Sequence, residues 1–236
     1  MTDKIRLQKF FSQQGICSRR DAEDFIRKRQ IRVDGTIAEL GDRVSGEETI
    51  LLLGKPIKTT KTPRIIYLKF NKPIGVESTL RKFSNHASLA SFDFGSHRVF
   101  PVGRLDKNSR GLMLLTNDGE LTHQLMHPKF EHEKEYEVQV TPAIRPGDLE
   151  KMEKGIHIED GLTRPCRITK INDKQFRITL REGKKRQIRY MCEALGYEVT
   201  DLLRIRIENI KLLDLAPGKV SHLTEAEIKA LPSLKK

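Results

Sequence analysis

Residues Arg98–Thr116 read RVFPVGRLDKNSRGLMLLT, and this stretch decides the predicted fold. Two apolar segments, Val99–Val102 and Leu112–Leu115, flank a polar centre at Gly103–Lys107. Short apolar runs that are bounded by proline and glycine are typical of buried strands. The stretch therefore predicts a strand, a tight polar loop and a second strand.

The polar centre holds one carboxylate among several cations. Asp106 lies between Arg104 and Lys107, and Arg110 follows closely. Cationic neighbours keep a carboxylate ionised when it is partly removed from water, as a nucleophile or a general base requires. The same residues also fit a surface loop in which the aspartate caps a turn. The spacing alone leaves both interpretations open.

The composition indicates a polyanionic partner. The chain of 236 residues carries a formal net charge of +12, and 32% of its residues are charged. This balance favours nucleic acid first and an anionic membrane second. No apolar run reaches the ~18 residues of a membrane span, and the first residues lack the apolar core of a signal peptide. The membrane interpretation therefore has little support.

Cysteine and histidine usage predicts neither a disulfide framework nor a metal site. Cys17, Cys166 and Cys192 are odd in number and far apart, which fits free thiols in a reducing cytoplasm. The seven histidines do not cluster at ligand spacing. The sequence also lacks a glycine-rich phosphate loop. We therefore expect no cofactor, no metal and a cytoplasmic location.

The N-terminal part of the chain has the pattern of a small helical unit with a hairpin. Ile5–Gln14 and a segment that starts at Ser18 show helical spacing, and Ile31–Ile37 contains the Asp-Gly signal of a hairpin. A basic face accompanies the second helix, and it fits either a solvated surface or an RNA contact. Its residues are Arg19, Arg20, Arg27, Lys28, Arg29 and Arg32.

The sequence PVGRLDKNSRGLMLLTNDG resembles the signature of bacterial pseudouridine synthases, in the branch that modifies ribosomal RNA at single sites. In that family the aspartate of GRLD is the catalytic residue, so the resemblance implies this role for Asp106. Arg104, from the same four residues, is expected to bind substrate.

Two further motifs extend this resemblance towards the catalytic cleft. NKPIG contains Lys72 and resembles the first synthase motif, which shapes the cleft, so Lys72 is expected to bind substrate. An ordinary Pro-Gly turn fits the same residues. KEY places Tyr136 where the family stacks a ring on the target base. The alternation around Tyr136 equally fits a core aromatic in a half-buried strand.

EGKKRQIRYM resembles the third synthase motif. The resemblance implies that Arg189 pairs with the catalytic Asp106 and that Ile188 lines the pocket against the base. We predict a helix over Lys184–Leu195, and cations at its start oppose the helix dipole, so we expect them to meet a polyanion or a buried carboxylate. The remaining cations of this group, expected to bind substrate, are Lys184, Lys185 and Arg186.

The N-terminal sequences RLQKFF, GICSRRDAEDFI and IRVDG resemble the small RNA-binding module named after ribosomal protein S-four. The resemblance implies that the basic face binds structured RNA through its phosphates, as the charge favours. A run without apolar residues predicts a linker at 58–63, between this module at 1–57 and a catalytic domain at 64–236. The implied fold class is α+β: a small α/β RNA-binding domain precedes a mainly antiparallel, bifurcated sheet that carries the cleft.

Within the small-subunit synthase A branch, the motifs look most like the large-subunit synthase F type. The implied function is the isomerisation of uridine to pseudouridine in a stem-loop of large-subunit ribosomal RNA, with transfer RNA as a second candidate substrate and a monomeric enzyme. Two alternatives stay open. One is an RNA-binding or ribosome-assembly protein without catalysis. The other is a glycoside-cleaving hydrolase, which would ordinarily need a second carboxylate.

Overall fold

The computed structural model describes residues 4–60 and 64–231. Of the predicted linker at 58–63, residues 61–63 lie outside the described part of the chain. Among the described residues, no helix is both long enough and apolar enough to span a bilayer. The chain divides into two compact units, Met1–Ile65 with Ser96–Arg98 and Ile66–Gly95 with Val99–Lys236.

The N-terminal unit packs short helices against small antiparallel sheets. Its elements are β1 (Ile5–Arg6), α1 (Leu7–Gln13), α2 (Arg19–Arg27), β2 (Ile31–Val33), β3 (Thr36–Ile37), β4 (Arg43–Val44), β5 (Ile50–Leu52) and β6 (Lys55–Pro56). Helix α2 begins at the predicted capping box, in which Ser18 Oγ accepts from Asp21 N at 3.0 Å. Leu7, Phe11 and Ile31 are fully buried in the core between these elements.

The predicted hairpin is present, and one predicted helix starts later than expected. Asp34 and Gly35 have φ values of 48° and 83° between β2 and β3, because a tight hairpin turn of this kind needs positive φ at both central residues. The prediction that the first helix begins at Ile5 is wrong. Ile5–Arg6 instead forms strand β1 and pairs with Arg43–Val44, since a long-range strand partner overrides the local helical spacing.

The second unit carries a large sheet with helices on its faces. Its strands are β7 (Tyr67–Lys72), β8 (Phe100–Val102), β9 (Arg110–Thr116), β10 (Lys134–Thr141), β11 (His157–Ile158), β12 (Gly161–Leu162), β13 (Arg167–Asn172), β14 (Gln175–Leu180), β15 (Glu198–Ile207), β16 (Ile210–Lys211) and β17 (Val220–His222). Its helices are α3 (Gly119–Met126), α4 (Asp148–Lys154), α5 (Gln187–Ala194) and α6 (Glu225–Lys229), with 3₁₀ turns at Leu89–Ser91 and Pro128–Phe130.

The large sheet consists of two antiparallel halves that meet at one short parallel contact. Among the described residues the strand order is β13-β14-β10-β15-β9-β7-β17, with β16 on β15 and β8 on β9. Strands β15 and β9 pair in parallel only through Leu203↔Arg110 and Arg204↔Gly111. A Cβ atom at Gly111, where φ is 106°, would lie 2.4 Å from the carbonyl oxygen of Arg204. Only glycine therefore allows the two backbones to approach this closely.

Separate core clusters support the two halves. Strands β10 and β14 pack with helices α4 and α5 around residues such as Phe176, Ile178 and Met191. On the other half, Met113 and Leu115 pack with the loop residue Leu105 on one face of β9. Tyr136 packs against both clusters. It therefore sits where the two halves join.

Candidate active site

Asp106 lies in the loop that joins β8 to β9, as the sequence predicts. Its side chain is half-buried, and its carboxylate makes no hydrogen bond or ion pair with any residue that the structure describes. The neighbouring Arg104 and Lys107 are exposed. The loop thus presents a carboxylate that is available to a ligand, beside cations that are also available.

A buried hydroxyl holds the residue before Asp106. Ser78 Oγ donates to the carbonyl oxygen of Leu105 at 2.6 Å and accepts from the Leu105 N–H at 3.0 Å. Ser78 is only 6% exposed, so water does not compete strongly for these two bonds. Sequence reasoning missed this role, since only the fold brings residues 27 positions apart together.

The residue after Asp106 is held by the turn that follows β7. The carbonyl oxygen of Lys107 accepts from Gly75 N at 2.8 Å and lies 3.5 Å from Lys72 Nζ. Lys72 Nζ also donates to the carbonyl oxygens of Pro73, at 2.9 Å, and Val76, at 2.7 Å. The peptides on both sides of Asp106 are therefore fixed by neighbouring chain segments.

Lys72 occupies a different place from the predicted substrate contact. Its side chain is fully buried, with 0% exposure. Burial, followed by the charge of Arg204, lowers the pKa of Lys72 to about 8, whereas the Asp106 carboxylate raises it. Its ammonium group therefore supports the turn and the loop from below, and it also adds positive potential near Asp106.

One transverse row of the sheet connects Tyr136 with Lys72. The register pairs Tyr136 with Arg204, Arg204 with Gly111, and Gly111 with Lys72. Paired residues project from the same face of a sheet, which is the face where Leu105 packs. Tyr136, Arg204 and Lys72 thus share the face over which the Asp106 loop lies.

Arg204 is a buried cation in this row that sequence reasoning did not select. It is 2% exposed, and its Nε donates to the carbonyl oxygen of Leu112 at 2.7 Å. Its Nη2 is buried without a hydrogen-bond partner among the described residues. The only signal in the sequence was a charged residue within the apolar alternation of β15, and that alternation does not distinguish a buried arginine from an exposed one.

Arg189, from the first turn of α5, contacts the far end of the same loop. Its Nη2 lies 2.7 Å from the carbonyl oxygen of Asn108 and 3.4 Å from Ser109 Oγ, and its Nη1 lies 3.1 Å from the carbonyl oxygen of Val199. Burial and the nearby Arg186 lower the pKa of Arg189, while the Asp106 carboxylate raises it. The guanidinium group therefore braces the loop and also acts on Asp106 through space.

The predicted ion pair between Arg189 and Asp106 is not formed in this structure. Among the described residues, the ion pairs within 4.0 Å do not include one between these two side chains. The guanidinium group instead satisfies backbone carbonyl oxygens on the loop and on β15. This is a correction to the sequence prediction, because a motif of side chains does not reveal backbone acceptors.

The predicted helix start at Lys184 is also wrong, because α5 begins at Gln187. Arg186 adopts left-handed backbone angles, with φ at 52°, and so cannot continue a regular helix. Lys184 Nζ donates to the carbonyl oxygens of Asp160, Gly161 and Leu162 at 2.8–3.3 Å, so it ties down the β11–β12 hairpin instead of pointing freely outward. Lys185 and Arg186 are exposed. Ile188 is buried, at 4% exposure, in the core beneath β14.

A cavity of about 710 Å³ opens beside Arg189. Its lining includes Asn108, Arg186, Arg189 and Glu193, and neither Asp106 nor Tyr136 contributes to it. Cavities of ~300–1,000 Å³ accommodate small organic ligands. The space next to the Asp106 loop is thus large enough for a nucleotide.

The predicted basic face of the N-terminal unit is exposed. Arg27 pairs with Asp24 at 3.3 Å, and Arg32 donates to the carbonyl oxygen of Gly35 at 2.7 Å. The other side chains of the face extend from α2 and its exit without a hydrogen bond or ion pair to the described residues, and they are Arg19, Arg20, Lys28 and Arg29. These cations are available to phosphates.

The fold and the loop define a class of enzyme that comparison with known proteins establishes. Residues 66–194 match the family described as RNA pseudouridylate synthase, and residues 5–50 match the S4 domain. The chain belongs to the RNA pseudouridine synthase family. The predicted family, α+β fold and isomerase activity on uridine in RNA are confirmed.

Relatives with this organisation occur in several bacteria. The chain is 39% identical to the dual-specificity RNA pseudouridine synthase RluF of Salmonella typhi over 229 residues, which cover 97% of this chain and 79% of the relative. It is 37% identical to the ribosomal large subunit pseudouridine synthase B of Bacillus subtilis, with 97% and 96% coverage. A crystal structure of a pseudouridylate synthase superposes with a TM-score of 0.70 at 28% identity, with 96% and 99% coverage.

Proposed function

We propose that this chain converts uridine to pseudouridine in ribosomal RNA and that Asp106 is the catalytic residue. The observation that carries the proposal is the Asp106 carboxylate itself, which is free of partners among the described residues on a loop held at the peptides on either side of it. A structural aspartate of a surface turn would use its carboxylate to cap neighbouring N–H groups. Asp106 does not, so its carboxylate remains available for a substrate.

The surrounding groups fit the isomerisation. In the reaction the bond between N1 of uracil and C1′ of ribose breaks, the base turns, and C5 bonds to C1′. The proton leaves C5, and N1 gains one, so the composition is unchanged. Asp106 assists bond cleavage either by attack on C1′ or by removal of a sugar proton. The cations Lys72 and Arg189 favour its ionised form, since both interact with its charge.

Tyr136 is proposed to hold the flipped base. It lies at the join between the two half-sheets and packs against both of their cores, so its ring position is well defined. An aromatic ring at such a position suits a base that has left its stack. Arg104, Lys185 and Arg186, all exposed, are proposed to bind the substrate backbone.

The target is proposed to be a stem-loop of large-subunit ribosomal RNA. The names of the relatives support this choice, and the dual specificity of one relative makes transfer RNA the second candidate. The exposed cations of the N-terminal unit would bind the RNA phosphates. Action on ribosomal RNA as a monomer in the cytoplasm is part of the same proposal.

The test is the variant Asp106→Asn, which keeps the shape of the side chain and removes its charge. Release of tritium from RNA that carries uridine labelled at C5 measures turnover, and fluorescence anisotropy measures RNA binding. We expect turnover to vanish while binding persists. The control Asp214→Asn removes an exposed carboxylate elsewhere on the same unit and should leave both readings unchanged. Wild-type turnover by pure Asp106→Asn would refute the assignment.

A further inference from the structure

Exposed aromatic and cationic side chains form a strip at the end of α3. Phe130 is 43% exposed and Met126 is 47% exposed, although both are large apolar residues. His123, His127 and Lys129 are exposed beside them. We call these five side chains the aromatic strip. Burial in the core does not account for them, so another role is needed.

The strip adjoins the loop that carries Asp106. A Cβ atom at Gly103, the first residue of that loop, would lie only 2.8 Å from Met126 Sδ. Gly103 has a φ of 82°, and the exposed Arg104 follows it directly. A molecule that reaches Asp106 along this side of the loop therefore passes over the strip.

The rings in the strip lie close together and close to a positive charge. The centroids of His123 and His127 are 5.3 Å apart, and those of His127 and Phe130 are 6.0 Å apart. Lys129 Nζ lies 4.7 Å from the centre of the Phe130 ring. Neighbouring rings combined with cations are what unpaired bases and their phosphates require of a protein surface.

The acidic residues near the strip do not cancel its charge. Glu131 is already paired with Arg164. Glu120 lies in the first turn of α3, where a carboxylate is favoured by the helix dipole. Arg104 and Lys129 make no ion pair with the described residues. The surface is therefore apolar and cationic, which fits a nucleic acid better than an apolar or cationic protein surface.

We infer that the aromatic strip is a docking surface for unpaired RNA bases next to the target uridine, with Phe130 as the main stacking ring. This inference rests on the proposed function, because it requires RNA at the Asp106 loop. It adds a contact on the catalytic unit itself, apart from the S4 domain. It also predicts that single-stranded RNA gains more from this surface than duplex RNA does.

Three substitutions at Phe130 separate stacking from simple apolar contact. Phe130→Tyr keeps the ring, Phe130→Leu keeps apolar bulk without a ring, and Phe130→Ala removes both. The probes are a labelled oligouridylate and a blunt RNA duplex of equal length, with binding measured by fluorescence anisotropy. We expect Ala and Leu to weaken binding of the oligouridylate about five-fold or more. We expect Tyr to bind as wild type does and the duplex to respond little.

The matched control is Ile171→Ala on the edge strand β13. Ile171 is 44% exposed, so the substitution removes a similarly exposed apolar side chain that has no ring, and it should leave binding unchanged. A second measurement uses Lys129→Gln, for which the salt dependence of log K should become shallower by about 0.7 for single-stranded RNA. Circular dichroism confirms that each variant is folded.

The outcomes decide the inference independently of the catalytic assignment. Wild-type binding of the oligouridylate by Phe130→Leu would show an apolar contact instead of stacking, and wild-type binding by Phe130→Ala would remove the strip from RNA binding. Either result overturns the inference. Failure of the proposed function would appear elsewhere, as turnover by Asp106→Asn, because oligouridylate binding does not require the chemical step.

Discussion

Replacing Ser78 with alanine tests whether the Asp106 loop must be held by its neighbours. The change removes the hydroxyl that donates to the Leu105 carbonyl oxygen at 2.6 Å and accepts from the Leu105 N–H at 3.0 Å. Each bond contributes about 1 kcal/mol net, and buried groups left without partners raise the combined cost to about 2–4 kcal/mol. Domains are stable by about 5–15 kcal/mol, so the variant should still fold.

Turnover should suffer more than binding in Ser78→Ala. Displacement of a reacting group by about 1 Å costs up to about 100-fold in rate, and the substitution takes away a support directly before Asp106. We expect kcat for tritium release to fall about 10- to 100-fold at saturating RNA, on the same principle. The KM for RNA should change little, because the hydroxyl is buried and cannot meet the substrate in this arrangement.

Ser88 provides the matched control. It is 1% exposed, donates to the carbonyl oxygen of Arg81 at 2.6 Å and accepts from Ala90 N at 3.2 Å. Ser88→Ala therefore removes an equivalent pair of bonds from a segment that does not carry Asp106. It should lower the free energy of unfolding by a similar amount and leave kcat unchanged. A wild-type kcat in folded Ser78→Ala, or an equal decrease in Ser88→Ala, would refute the positioning argument.

Three further predictions concern the cations. Arg189→Lys keeps a charge but removes the planar group that reaches Asn108 and Val199, so kcat should fall with RNA affinity preserved; wild-type kcat would contradict this. Burial holds the pKa of Lys72 at about 8, below its ordinary 10.5, so the native state releases this proton first, and the free energy of unfolding should rise between pH 8 and 10.5 relative to Lys72→Met; parallel pH profiles in urea titrations would contradict this. Neutralising four exposed cations of the N-terminal unit should weaken RNA binding and flatten its salt dependence by about 0.7–0.9 for each phosphate that is no longer neutralised, with turnover at saturating RNA retained; an unchanged slope would contradict it. The four are Arg19, Arg20, Lys28 and Arg29.

Features that depend on neighbours in sequence were predictable. The Asp-Gly hairpin, the capping box at Ser18 and the loop around Asp106 all follow from residues within a few positions of one another. The motif resemblance then supplied the family. These successes reflect local backbone preferences and a long shared pattern, neither of which requires knowledge of distant contacts.

Features that depend on the folded sheet were not predictable. Ser78 meets Leu105, and Arg204 joins the row of Tyr136, only because strands far apart in sequence are paired. The early start predicted for α5 failed for a related reason. Lys184 is held by the carbonyl oxygens of a distant hairpin, so its segment adopts a loop despite good helical spacing.

The parallel contact at Gly111 fixes a length inside the enzyme. Tyr136 and Gly111 are separated by the single strand β15, which corresponds to two strand spacings of about 4.8 Å each. That length is a property of backbone hydrogen bonding, so changes in the surrounding loops leave it unaltered. The family scaffold can therefore exchange the outer surfaces that choose an RNA while the gap between the two half-sheets, into which a base must fit, keeps one gauge.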